Sequence, residues 1–209
     1  HDFEVLMIDD GSTDESGRIL DEYSAKDKRF KIFHKQNEGV AMARQMGVDN
    51  AKGEFCIHAD ADDWMDSTML EELYAKAKAE DADVVIADYF ISSKHGETVC
   101  KQRPSELSPE QVLQDLFDNK LFGALWHKLV RTDLYRKYNA RFFKGINHCE
   151  DLLIWVQLLQ HQEVKVSYLP KAYYHYVVND NSITRHFKRK TYEMRLRFRD
   201  KLQELLHVA

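Results

Sequence analysis

The sequence predicts an α/β sandwich with a largely parallel sheet over its first part, residues 1–100. Short apolar runs rich in strand-forming residues, such as FEVLMID (3–9) and FKIFHK (30–35), alternate with amphipathic helical stretches. This alternation is typical of a sheet whose strands are joined by crossover helices. Two acidic clusters, first Asp9-Asp10 and then Asp60-Asp62-Asp63, follow predicted strands directly. Because such sheets bind ligands beyond the carboxyl ends of their strands, we expect both clusters to line one edge.

The elements of the first part are predicted from apolar periodicity and turn residues. The strand at 3–9 ends at Asp-Gly-Ser, and Ser12 with Glu15 three residues later indicates a capping box for a helix over 14–27. A helix over 39–53 has apolar residues at helical spacing and a glycine as its stop. The same criteria predict the other elements, which are strands over 30–35, 54–60 and 82–91 and a helix over 67–81.

The second part, residues 101–209, continues the same domain with more helix. Ser108 is predicted to cap a helix over 109–119. The other predicted elements are helical stretches over 121–138 and 149–163, an aromatic strand over 165–178, and a terminal helix with Phe198, Leu202, Leu205 and Leu206 on one face.

Charge and hydropathy exclude several classes of protein. The 209 residues carry a net charge of −5, so no global basic field favours nucleic acid as a partner. A basic stretch over 186–199 could contact a membrane surface, and a solvated helix face is the alternative. No apolar run approaches the ~18 residues of a spanning helix. We therefore expect a cytoplasmic protein that is at most peripheral at the inner face of the membrane, with its three cysteines as free thiols.

The second acidic cluster consists of Asp60, Asp62 and Asp63. Three crowded carboxylates repel one another unless a positive charge is shared between them. Capping of the next helix is the plain interpretation. A calcium-binding loop that starts at Asp60 is excluded because Trp64 stands at its position 5 and Met65 at its position 6, where the tight turn needs glycine. A phosphoacceptor receiver domain is disfavoured because it needs a lone acceptor aspartate where this trio stands.

A divalent metal ion whose coordination is completed by substrate phosphates accounts for the crowding. Mg²⁺ and Mn²⁺ prefer oxygen ligands, and Mg²⁺ is often held by one or two carboxylates plus phosphates. Side-chain alternation along an extended strand end puts Asp60 and Asp62 on the same side. We therefore predict a Mn²⁺ or Mg²⁺ site there, with one carboxylate on the metal and the other reaching metal-bound water or a ribose hydroxyl.

Six motifs in order resemble the family-2 glycosyltransferases of GT-A fold, which are inverting sugar transferases. The motifs are IDDGSTD (8–14), NEGVAMARQMG (37–47), AKGEFCIHADADD (51–63), LWHKL (125–129), CED (149–151) and YHYVVNDNSIT (174–184). Each motif alone is weak evidence, but the ordered set is specific. The resemblance implies a GT-A-type Rossmann-like α/β/α sandwich whose first part binds a nucleotide sugar. It implies that the second part binds the acceptor and supplies the general base.

The resemblance also implies roles for single residues. Asp10 matches the aspartate that hydrogen-bonds a uracil or thymine base. Asp60 and Asp62 match the Asp-x-Asp that binds the metal and the nucleotide, with Asp62 the closer metal ligand. Asp151 matches the general base, and its neighbour Glu150 is assigned to the nucleotide-sugar site.

Some of these roles have structural alternatives. Arg44 matches an arginine assigned to the donor phosphates, but Gln45 stands where the family has asparagine, and Arg44 could instead tie its helix to acidic neighbours. Plain N-terminal capping is the alternative for Glu150 and Asp151. His175 could approach the metal, although we expect a packed, hydrogen-bonded histidine there.

The chain also departs from the family pattern. The opening strand of the family, which forms one wall of the base pocket, is missing, either because the protein lacks it or because the recorded sequence starts late. Ser67 replaces the usual proline after the acidic trio, and His127 replaces the asparagine of the usual Trp-Asn-Lys. A truly absent strand would weaken nucleotide binding.

The resemblance implies an inverting transferase that moves a sugar from a UDP- or dTDP-sugar to a hydroxyl acceptor. The implied acceptor is a saccharide or a lipid-linked saccharide in surface polysaccharide or glycan assembly. A non-catalytic nucleotide-sugar or carbohydrate-binding module on the same fold is the alternative. A nucleotidyltransferase is disfavoured because the first strand lacks a following glycine-rich, basic phosphate loop.

Overall fold

A computed structural model describes residues 2–178 and 189–207. Helices and strands alternate through its first half, as the apolar pattern predicts. In chain order the elements of the described residues are β1 (Val5–Asp9), α1 (Ser16–Lys26), β2 (Phe30–His34), α2 (Val40–Asn50), β3 (Phe55–Cys56), β4 (Trp64–Met65), α3 (Met69–Ala79), β5 (Val84–Ser93), β6 (Gly96–Cys100), α4 (Pro109–Phe117), β7 (Lys128–Arg131), α5 (Asp133–Lys137), α6 (Glu150–Leu159), β8 (Val166–Val177) and α7 (Arg189–Leu205).

The strands form two sheets, and the larger one is mixed rather than largely parallel. β1 and β2 make a parallel pair. The six-stranded sheet has the order β3-β7-β5-β8-β4, with β6 paired to β5. Only β5 and β8 run parallel within it, while the other pairings are antiparallel. The prediction of a largely parallel sheet was wrong here, because β6 forms a hairpin with β5 and β7 inserts antiparallel between β3 and β5.

The core lies on both faces of β5. Val84 and Ile86 face one apolar cluster, which includes Trp155 of α6. Val85 faces a second cluster, which includes Leu73 of α3. Side chains alternate between the faces of a strand, so a strand buried on both faces needs a continuous apolar run. The predicted strand over 82–91 is confirmed, and its pairing with both β7 and β8 makes one continuous sheet from the two parts of the chain.

Two local predictions were wrong. The Ser12 backbone N–H donates to Asp9 Oδ1 across 2.8 Å, and α1 begins only at Ser16 without a side-chain cap, so there is no Ser12–Glu15 capping box. The stretch 121–138 is not one helix, because β7 inserts between β3 and β5 and the short α5 follows. Strand pairing outweighs local helical periodicity there. By contrast, Ser108 Oγ caps α4 as predicted, accepting from the Gln111 N–H at 3.3 Å.

The segment between β3 and β4 sets the position of the acidic trio. β3 was predicted over 54–60 but pairs only at Phe55–Cys56, and the chain then crosses to β4 at the opposite end of the sheet. With strands about 4.8 Å apart, the crossing spans about 19 Å. The trio Asp60, Asp62 and Asp63 therefore lies in the segment that runs from one edge strand of the sheet to the other.

Among the described residues, no helix combines the length and apolar character that crossing a membrane requires.

Candidate active site

The guanidinium of Arg44 contacts three carboxylates from two separate segments. Its Nη2 donates to Asp60 Oδ1 across 2.9 Å, and its Nη1 donates to Glu150 Oε1 across 2.7 Å. Nη1 also donates to Asp151 Oδ1. Arg44 therefore joins the Asp-x-Asp segment after β3 to the first turn of α6. The structure brings together four of the residues assigned from the sequence to one site.

This cluster is acidic and poorly solvated. The side chains of Arg44 and Asp151 are 11% and 18% exposed. Burial raises the pKa of Asp151 to about 7; Arg44 opposes that rise, while Glu150 and Asp60 add to it. Burial likewise raises the pKa of Glu150, again against the effect of Arg44. One cation among three carboxylates thus leaves Asp151 able to accept a proton near neutral pH.

Helix α2 places Arg44, and its N-terminus is fixed by a close approach. Gly39 has φ +92°, and a Cβ there would overlap the side-chain amide of Asn147. Asn147 Oδ1 accepts from the Ala41 N–H across 3.0 Å. Further along the helix, Gln45 Oε1 accepts from the Phe142 N–H across 2.8 Å. α2 therefore holds the loop that leads into α6, and Gln45 serves this purpose where the family has asparagine.

The first turn of α6 presents Glu150 and Asp151. Cys149 precedes it in the left-handed conformation, with φ 58°, and makes no side-chain cap bond. The side chains of Glu150 and Asp151 reach Arg44. Plain capping therefore does not describe the two residues, although the free N–H groups of the helix start still favour negative charge.

The three aspartates of the trio have different environments. Asp63 Oδ1 accepts from the Val177 N–H and Oδ2 from the Tyr174 hydroxyl, at 2.8 and 2.9 Å. The Asp60 N–H donates to the same Tyr174 oxygen across 3.0 Å. Asp62 is exposed and has no hydrogen-bond partner within the described part of the chain. Asp63 therefore fixes the loop of residues 57–63, called the acidic loop below. Asp60 faces Arg44, and Asp62 is open to a ligand.

The carboxylates of Asp60 and Asp62 could hold a hard divalent cation only if a bound ligand completed its coordination. The described residues contain no group of three histidine, cysteine or acidic side chains arranged to hold a metal. Asp60 and Asp62 supply carboxylate oxygens, and phosphates would have to complete a Mg²⁺ or Mn²⁺ shell. The metal site remains a prediction.

Asp10 is anchored at the start of α2. Lys35 Nζ donates to its Oδ1 across 2.6 Å, and the N–H groups of Glu38 and Gly39 donate to the carboxylate at 3.0 and 2.7 Å. Burial opposes ionisation, but these contacts lower the pKa of Asp10. Gly39 and Arg44 are five residues apart, about 7.5 Å along a helix axis. Asp10 and Asp60 are thus both attached to α2. The single shared sheet edge expected from the sequence is wrong, because β1 and β3 belong to different sheets.

His175 is packed and hydrogen-bonded. Its Nδ1 lies 2.6 Å from Glu97 Oε1, and its ring lies between those of Trp64 and Phe90. The segment 179–184 of the last family motif lies outside the described residues.

The sequence analysis did not identify two buried side chains that support the site. Tyr174, with 0% exposure, holds the acidic loop and stacks on Trp126 at 4.4 Å. Lys128 is 1% exposed, and its Nζ donates to the carbonyls of Phe122 and Ala124 at 2.6 and 2.8 Å. The motif LWHKL contains Lys128, but the sequence alone does not show that this lysine is buried.

Comparisons with known proteins agree on one family. The model of glycosyl transferase family 2 matches residues 1–139. The putative glycosyltransferase EpsH of Bacillus subtilis is 30% identical over 197 residues, covering 91% of this chain and 56% of that protein. The cholesterol galactosyltransferase of Borreliella burgdorferi is 34% identical over 189 residues, covering 83% and 51%. The chain spans about half the length of these curated relatives.

A solved structure has the same fold. The crystal structure of S. aureus TarS 1–349 in complex with UDP-GlcNAc matches with a TM-score of 0.75 at 23% identity. The match covers 96% of this chain and 58% of that one. The α/β GT-A fold class expected from the sequence is confirmed.

Proposed function

The chain belongs to glycosyl transferase family 2, and from that membership we propose that it forms the catalytic region of an inverting glycosyltransferase. In this proposal a sugar moves from a UDP- or dTDP-sugar to a hydroxyl of a saccharide or lipid-linked saccharide. The observation that carries the proposal is the contact of Asp60 and Asp151 with one guanidinium. It brings the proposed nucleotide-binding segment and the proposed general base to one point.

The donor is proposed to lie along α2 and the acidic loop. The S. aureus TarS structures were solved with UDP-GlcNAc and with UDP, which supports a nucleotide-sugar donor. Asp10 would accept the imide N–H of uracil or thymine, since a carboxylate has more acceptor sites than the three donors that it meets here. Arg44 and Glu150 would border the donor phosphates, with Arg44 as the nearby cation.

Asp151 is proposed to remove the acceptor proton. The acceptor oxygen forms a bond to the anomeric carbon while the bond from that carbon to the diphosphate breaks, and the proton passes to Asp151. Attack from the face opposite the leaving group inverts the anomeric centre. A base with a pKa of about 7 is well matched to neutral pH. Arg44 holds this carboxylate in place and limits the rise of its pKa.

Asp62 and Asp60 are the proposed holders of Mn²⁺ or Mg²⁺. The ion, when bound, would offset the negative charge that develops on the leaving diphosphate. Asp62 is the better placed of the two because it is exposed, whereas Asp60 already meets Arg44.

The biological setting is proposed from the relatives. One of them, from S. aureus, is the poly(ribitol-phosphate) beta-N-acetylglucosaminyltransferase TarP, 28% identical over 190 residues. Its name supports a role in surface glycan assembly. A cytoplasmic location, with α7 against the inner face of the membrane, completes the proposal.

The test is turnover of a panel of donors. The protein is incubated with UDP-GlcNAc, UDP-glucose, UDP-galactose and dTDP-glucose, with and without Mn²⁺, and release of free nucleotide is followed. Mn²⁺-dependent release of UDP or dTDP would support the transferase. Nucleotide-sugar binding without any release would instead support the non-catalytic binding module.

A further inference from the structure

Trp64 is the exposed tryptophan of this chain. It is 50% exposed, whereas Trp126 and Trp155, the other two of the three tryptophans, are 3% and 0% exposed. Leaving half of an indole in water forgoes much of the free energy that its burial would supply. A large aromatic side chain beside an acidic loop is therefore a candidate for ligand contact.

The Trp64 side chain is held rigidly from one side. Its ring stacks on His175 with centroids 3.3 Å apart and planes 10° apart, and His175 stacks in turn on Phe90 at 4.4 Å. Glu97 fixes the imidazole through the 2.6 Å contact with Nδ1. The backbones of Trp64 and His175 are directly paired in the β4–β8 ladder. The indole is thus fixed in orientation before any ligand arrives, which reduces the entropy lost on binding.

Trp64 follows the proposed donor-site aspartates in the chain but packs against a different element. Asp60 faces Arg44 of α2, and four residues later the chain has entered β4, at the far end of the sheet from β3. Asp63 is anchored inward by Tyr174 and Val177, while its neighbours Asp62 and Trp64 are exposed. Trp64 therefore lies directly after the acidic trio in the chain, as the first residue of β4.

Two carboxylates contact the imidazole on which the indole stacks. Asp66 and Glu97 are each 43% exposed, and both lie against His175, the ring on which Trp64 stacks. A pyranose has an apolar C–H face bordered by hydroxyls, and these hydroxyls can donate hydrogen bonds to carboxylates. A flat aromatic surface bordered by carboxylates suits this chemistry, whereas an anionic phosphate would be repelled.

We propose that Trp64 is the stacking platform of an acceptor saccharide subsite. The apolar face of an acceptor pyranose lies on the indole, and its hydroxyls contact the neighbouring carboxylates. Trp64 thereby selects and positions the acceptor and takes no part in proton transfer. This inference rests on the proposed transferase function, because it assigns the second substrate of the same site.

Tryptophan fluorescence gives a direct test of binding. Acrylamide quenches exposed indoles, so the quenchable emission reports Trp64. Cellotetraose, maltotetraose and chitotetraose are the probes, and at least one should protect the emission of the parent protein. Trp64→Phe should lose both the quenchable component and the protection. Protection by none of the three, or by UDP alone, would overturn the proposal.

Kinetics distinguish this inference from the proposed function. With a tetrasaccharide that protects Trp64 as the acceptor, Trp64→Ala should raise the acceptor KM roughly tenfold, the size of one aromatic stacking contact, with a smaller change in the donor KM. Trp64→Phe should recover part of the loss. Tyr74→Ala, which removes a 46% exposed aromatic from α3, is the matched control. An unchanged acceptor KM in Trp64→Ala overturns the inference alone, whereas no donor turnover by the parent protein overturns the proposed function.

Discussion

Arg44 donates from Nη2 to Asp60 Oδ1 across 2.9 Å, and its other terminal nitrogen contacts Asp151. One cation, only 11% exposed, thus ties the acidic loop after β3 to the start of α6. The sequence raised the question of which positive charge offsets the crowded aspartates. In the structure Arg44 offsets the negative charge of Asp60. The exposed Asp62 is left to meet the predicted metal. Removing Arg44 should therefore disturb both Asp151, the proposed general base, and the loop that carries Asp60.

The first prediction concerns pH. Asp151 has a raised pKa of about 7, and as the proposed base it would act only when deprotonated, so kcat/KM should rise with pH through about 7. Arg44 lowers this pKa, so Arg44→Gln should move the acidic limb to higher pH. A pH–rate profile of donor turnover checks this. Arg18→Gln, an exposed arginine of α1, is the control. An acidic limb in Arg44→Gln at the parent's pH, or below it, would show that the two groups are not coupled.

The second prediction concerns the entry to α2. Gly39→Ala should destabilise the fold by about 1–3 kcal/mol, because φ is +92° and the new Cβ overlaps Asn147. Gly47→Ala is the matched control, since nothing lies within 4 Å of its Cβ position. That change should stabilise the helix by about 0.5–1 kcal/mol. Urea unfolding measures both, and equal free energies of unfolding for Gly39→Ala and the parent would contradict the close approach.

The third prediction concerns the metal. Asp62 is exposed and lacks a hydrogen-bond partner in the described structure, so Asp62→Ala should leave the fold intact. It should abolish the Mn²⁺-dependent part of UDP binding, measured by calorimetry with and without Mn²⁺. Asp133→Ala, at an 81% exposed carboxylate of α5, is the control. Equal UDP affinity in mutant and parent, with Mn²⁺ present, would remove Asp62 from the site.

The fourth prediction concerns recognition of the nucleobase. Asp10→Ala should weaken UDP binding by roughly 1.5–3 kcal/mol through loss of a charged hydrogen-bond partner. The mutation also removes the anchors from Glu38 and Gly39 to the start of α2. CDP separates the two effects, because cytosine lacks the imide N–H. A loss confined to UDP supports base recognition, whereas equal losses for UDP and CDP would show that Asp10 serves only to hold the helix.

Much of the fold could be predicted from apolar patterns. β5 is a continuous apolar run because both of its faces are buried, and α4 begins where Ser108 caps it. The stretch 121–138 could not be assigned correctly, since β7 is specified by its partners β3 and β5 rather than by its own sequence. The two-residue β4 has too little sequence to show a period at all.

The site was predictable in its residues but not in its contacts. Motif order identified Asp60, Glu150 and Asp151. Their common contact with Arg44 could not be predicted, because Glu150 and Asp151 lie more than a hundred residues from Arg44 in the sequence. The roles of Asn147 and Tyr174 are also tertiary, because each is defined by what it meets across the fold. Only the structure shows which of three adjacent aspartates faces inward.

The most direct test of the central claim is turnover measured against nucleotide affinity in Asp151→Asn. This change keeps the size of the side chain but removes its ability to accept a proton. Transfer should fall about 100-fold or more, the loss expected for a general base. UDP affinity should change little, because the proposed binding residues are Asp10 and Asp62. Near-normal transfer by Asp151→Asn, with UDP affinity unchanged, would contradict the assignment and leave Asp151 as a structural partner of Arg44.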